Sequence, residues 1–155
     1  MSETARIADQ LQRAFAGNAW HGPSLRELLA DVSAERAAAR PLPNTHNIWE
    51  LVLHITAWTN VARRRALGDN ADLSPQENFP NADKGETAWK EALASLERAH
   101  RELLAAIASL PDSRLQEEVP GHGYTVYVLL HGVVQHALYH AGQIALLRKE
   151  DGTSS

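Results

Sequence analysis

Residues 125–149 read TVYVLLHGVVQHALYHAGQIALLRK, and the spacing within this stretch decides the fold. Leu129, Val133, His136, His140, Gln143 and Leu147 recur at alternating steps of four and three, which places them on one stripe of a helix. The same period runs upstream. Residues 2–18 gather Ile7, Leu11, Ala14 and Phe15 on one face, and Thr45 to Leu67 carries an inward seam of Asn47, Leu51, His54, Trp58 and Val61. A further segment holds Trp89, Leu93, Leu96, His100, Leu103, Ile107 and Leu110 in a heptad-like seam that ends at Pro111. Period-two runs are short. The prediction is an all-α four-helix bundle.

Punctuation between the helices refines that picture. Ser24 and Glu27 have the spacing of a capping box, in which each satisfies an amide left free at a helix start, so a short extra helix is expected there. Pro41 and Pro43 then break the chain, and Gly68 is suited to end the second long helix in a left-handed conformation. The stretch from Asp69 to Ala82 is long for a connection inside a compact domain, which predicts a crossover along the bundle, with the second and third helices parallel in an up-down-down-up order. The same stretch is placed to cover part of a site. Asp83 and Glu86 read as a box-like start for the third helix. One domain over residues 1–150 is expected, with residues 151–155 as a disordered tail.

Composition narrows the function. At 155 residues with 44% hydrophobic content the chain can bury a core without staples. A formal net charge of −4 gives no electrostatic footprint for nucleic acid or an anionic membrane. The run Arg63-Arg64-Arg65 reads as a solvated helix end, where cations complement the exposed carbonyls. No apolar run reaches the length of a membrane span and the charged start lacks a leader's apolar core, so a cytoplasmic location is expected. Cysteine is absent, so any thiol in the chemistry must arrive with a substrate.

Eight histidines are the chemical resource of this chain. A single histidine in an apolar seam is ordinarily a hydrogen-bonded core residue. His136 and His140 are a different case, because residues four apart on a helix share a face and their rings can converge. His54 occupies the inward seam of another helix, and bundles build metal sites from side chains on facing helices. Three imidazoles leave a coordination position for water or substrate, which is the character of an open site rather than a closed structural one. The segment from His136 to His140 lacks the glutamate that follows the first histidine in zinc proteases. Glu50 and Gln143, each one turn from a histidine, are candidates to hydrogen-bond an imidazole or a ligand. Trp58 and Tyr139 are candidates to line the pocket, and His100 is a candidate extra ligand.

The segments from His46 to Trp58 and from Gln135 to Ile144 resemble the DinB superfamily, also called DinB/YfiT-like metalloenzymes, and the resemblance spans nearly the whole chain. It implies a four-helix bundle with a long crossover, homodimers, and one divalent metal ion on three histidines, which fall on His54, His136 and His140. Zinc or nickel come first as the metal, with iron or manganese behind them. The resemblance also implies a small-molecule substrate, with a low-molecular-weight thiol as one candidate. The reading is a metal-dependent enzyme, a thiol-dependent transferase or isomerase acting on small electrophiles. Its alternatives are a metal-dependent hydrolase of a small molecule, a non-catalytic metal-binding stress-response protein, and a purely structural bundle.

Overall fold

Local hydrogen bonding sets where each helix begins. In the computed structural model, which describes residues 1–149, the regular elements are all helical: α1 (Glu3–Ala16), α2 (Leu25–Leu29), α3 (Ala34–Ala38), α4 (Ile48–Ala66), α5 (Pro75–Asn78), α6 (Glu86–Ser109) and α7 (Val126–Lys149). A 3-10 turn, η1, spans Asp112–Gln116. The tail expected at residues 151–155 lies outside the described residues. Ser24 and Glu27 form the expected capping box at α2. Asn47 does the same for α4: its Oδ1 accepts the Glu50 amide at 2.8 Å while the Glu50 carboxylate accepts the Asn47 amide at 3.1 Å. This exchange starts α4 at Ile48 rather than at Thr45 and takes Asn47 out of the inward seam.

One expectation about the middle of the chain needs correction. Asp83 does not cap α6; the capping position is Gly85, at φ +87°, with no side-chain hydrogen bond. Glu86 instead accepts the Ala34 amide at 3.1 Å and so ties the start of α6 to the start of α3. Helices α3 and α5 were not foreseen, because a single turn is too short to display a hydrophobic period.

Contacts at the helix ends orient the bundle. Trp49, near the start of α4, meets Trp89, near the start of α6, with ring centroids 5.2 Å apart. Arg63 pairs with Glu102 at 3.5 Å toward the other end of the same two helices. Thus α4 and α6 lie start beside start. The Asp112 carboxylate of η1 accepts the amides of Glu3 and Thr4 at 2.8 and 3.0 Å, which fixes the start of α1 beside the end of α6. Arg65, near the end of α4, reaches Tyr124, just before α7.

Apolar burial then divides the interior into two clusters. One gathers Phe15, Leu25, Trp49, Val52, Trp89, Leu96 and Ile144; the other gathers Ile7, Leu11, Ala62, Leu103, Ile107, Val126 and Leu130. His100, His136 and His140 fall between the two sets along their helices, and His54 sits among the last α4 residues of the first set, which makes a polar waist in an apolar bundle. Among the described residues no helix is long and apolar enough to cross a membrane.

His100 belongs to the waist but not to the candidate site. It is 5% exposed, stacks on Phe15 at 3.8 Å, and its Nε2 lies 3.0 Å from Gln12 Oε1. Burial pushes its imidazole down from 6.5 to about 4. The unfolded chain therefore binds a proton that the folded chain refuses between those values, so stability is complete above pH 6.5 and lost as the pH falls toward 4. Urea denaturation across this window is expected to show a slope shallower by up to one proton, about 1.4 kcal/mol per pH unit, in His100→Gln.

Candidate metal centre

The candidate site starts from the register that the Asn47–Glu50 box gives to α4. That register turns His54 inward, 6% exposed, toward α7. On α7, His136 and His140 sit one turn apart, the former half-buried and the latter 7% exposed. His136 Nε2 lies 3.1 Å from His54 Nε2 and 3.1 Å from His140 Nε2. One ring nitrogen from each of the three lies within 4.8 Å of the others, and among the described residues this is the group able to hold a metal ion.

The partners of the remaining nitrogens fix the protons. His54 Nδ1 lies 2.7 Å from the Asn78 carbonyl oxygen, which can only accept, so Nδ1 carries the hydrogen. Asn78 ends α5, where carbonyls lack partners within the helix, and so its oxygen is available. His140 Nδ1 lies 2.6 Å from Gln143 Oε1 and donates to it. Both rings thereby turn a bare Nε2 toward His136. A neutral His136 can offer one proton at most, so at least one of the two 3.1 Å contacts sets lone pair against lone pair.

Protonation does not relieve the crowding. Burial pushes all three imidazoles below their ordinary range, and for His136 the neighbouring rings, each of which would repel a second charge, add to burial to bring it to about 4. A metal ion fits the donor set: nitrogens ~2.0–2.1 Å from a tetrahedral zinc stand about 3.3 Å apart, close to the observed contacts.

The connection between α4 and α6 closes one side. Phe79 stacks on His54 at 4.1 Å and on His46 at 3.7 Å, nearly parallel to both, while Asn78 Oδ1 accepts the Trp58 indole N–H at 2.7 Å. The expectation that this stretch covers part of the site matches these contacts. Beside His136 a cleft of about 280 Å³ opens between α4 and α7, lined by Trp58, Val61, Ala62, Leu129 and Val133, with Arg65 and Tyr124 also on its wall.

The other residues singled out from the sequence fall as follows. Gln143 reaches His140, and Trp58 lines the cleft. Tyr139 is 67% exposed and touches His140 by an edge contact at 5.1 Å rather than lining the cleft. Glu50 is turned away from His54 and is occupied by Asn47, His46 and Arg40. His100 faces α1. The basic run also splits: Arg64 pairs with Asp69 at the surface, but Arg65 is 6% exposed. Ser74 and Glu77 form a capping box that marks the start of α5, but nothing in the sequence signals that Asn78 and Phe79 reach His54.

A model of the DinB superfamily matches residues 19–144. No curated protein and no solved structure matches the chain. The match covers α2 through most of α7, including both helices that supply the histidines and the segment that covers them. On that match the chain belongs to the DinB superfamily.

Proposed function

We propose that this chain is a divalent-metal-dependent enzyme that joins a low-molecular-weight thiol to small electrophiles or isomerises them, with His54, His136 and His140 as the ligands. The observation that carries this reading is the convergence of two bare imidazole nitrogens on His136 at 3.1 Å beside an apolar cleft. A divalent cation bound there supplies Lewis acidity, which lowers the pKa of a thiol or water at its open position. Imidazole ligands suit zinc, nickel, copper and iron, and zinc or nickel is the metal proposed here.

The chain's own residues prepare the site. Asn78 and Gln143 hold His54 and His140 with Nδ1 protonated and Nε2 free. Phe79 and Trp58 screen the rings from water, which strengthens polar interactions at the centre. No cysteine of the chain competes for the metal, so the reacting sulfur belongs to a co-substrate.

Untagged protein is expected to purify with one metal per chain and to conjugate thiols to small electrophiles in a chelator-sensitive way. Gln143→Leu is expected to weaken metal affinity about 10–100-fold by competition titration. Activity that persists with chelator overturns the metal's role. Stoichiometric metal without turnover on thiol-transfer or hydrolysis panels identifies a non-catalytic metal-binding protein instead.

A homodimer through α7 accompanies this proposal. Val128, Tyr139 and Leu146 are 53%, 67% and 61% exposed on a helix whose composition is largely apolar. Sedimentation of the wild-type chain is expected to give a dimer and of Leu146→Glu a monomer; a monomeric wild type removes the dimer.

A further inference from the structure

The basic run at the end of α4 contains one arginine that solvation does not explain. Arg63 and Arg64 pair with surface carboxylates, but Arg65 is folded inward, beside the same cleft that His136 borders. Its Nε donates to the Ala71 carbonyl at 2.6 Å, Nη1 to the Tyr124 hydroxyl at 2.7 Å, and Nη2 pairs with Asp72 at 3.1 Å. The guanidinium carbon stands 5.5 Å from the Trp58 ring. A buried guanidinium is expensive to desolvate, and helix-end stabilisation alone is already provided by its two neighbours.

Hydrogen-bond capacity remains on both polar groups. Each terminal nitrogen of Arg65 uses one N–H and keeps another. Tyr124 accepts from Arg65 with its oxygen, so its own O–H is free to donate elsewhere. Asp72 does not cancel the charge within the cleft: its side chain is 65% exposed, and ion pairs with such a solvated partner are weak. The rest of the wall is aliphatic and aromatic.

Distance along the helices sets the shape of an occupant. From Trp58 to Arg65 the α4 axis advances about 10 Å at ~1.5 Å per residue. A molecule lying in the cleft therefore has one end at His136 and the other at the Arg65–Tyr124 pair. One guanidinium and one phenol match the two oxygens of a singly charged carboxylate; a doubly charged phosphate calls for more cations than the cleft supplies.

We propose that the cleft binds an elongated, largely apolar small molecule by its carboxylate, which Arg65 and Tyr124 anchor, while its other end lies at His136. This names the substrate class of the proposed enzyme and rests on that reading only for the chemistry at the far end.

Calorimetric titration with phenylbutyrate, phenylbutyramide and phenylbutanol tests the anchor, using metal-loaded and chelated protein side by side. Phenylbutyrate is expected to bind about tenfold or more tightly than the two neutral probes in both forms. Tyr124→Phe is expected to weaken phenylbutyrate several-fold and leave phenylbutanol unchanged; Arg65→Gln is expected to remove the preference. Should Arg65→Gln fail to fold, Tyr124→Phe carries the comparison alone. Equal affinities for the three probes, or no binding at millimolar concentration, overturn the proposal. A preference that vanishes with chelator and survives Tyr124→Phe puts the carboxylate on the metal, which overturns the anchor and supports the metal centre. A preference that persists in protein taking up no metal supports the anchor and removes the metal reading.

Discussion

Two imidazole nitrogens, of His54 and His140, that each face that of His136 at 3.1 Å are the constraint around which the bundle is arranged. Buried polar groups left without partners cost about 1–3 kcal/mol each, and here the conflict cannot be relieved by taking up protons at neutral pH. The apolar clusters on either side supply the rigidity that holds the rings in this arrangement. Trp49 against Trp89 braces one half of the bundle, and the small side chains Ala62 and Ala66 let the helices close in the other. A cation with vacant ligand positions turns the same crowding into coordination.

The two outer histidines are oriented from different directions. His140 is held within its own helix by Gln143, while His54 is held from outside, by a connection that reaches across from the end of α5. The flat stack of His46, Phe79 and His54 extends this arrangement to the Asn47–Glu50 box, because His46 Nδ1 also lies 3.2 Å from Glu50. The residues that start α4 and the residues that cover the site are therefore parts of one contact chain.

How much of this was legible in the sequence follows from the range of each interaction. Helical seams are local and repetitive, so the long helices, the inward positions of His54 and His140, and the pairing of His136 with His140 could be read directly. Gln143 was legible for the same reason, being one turn from the ring it contacts. Glu50 misled because one turn from His54 it has two possible roles, and the capping exchange with Asn47 claims its carboxylate. Arg65 misled because adjacent arginines are alike in sequence while only one of the three faces the interior. Asn78 and Phe79 act through contacts between segments far apart in the chain, and no periodic pattern encodes those.

The partner of His54 is a main-chain oxygen, and that has an evolutionary consequence. Every residue type carries the same carbonyl, so the identity at position 78 can drift, and with it the Trp58 contact, while the proton on His54 stays where it is. His140 has no such insurance, since its orienting oxygen is a side chain that one codon change can delete. A connection that secures an imidazole through backbone is free to vary its side chains, and with them the wall of the cleft, without disturbing the three rings beneath.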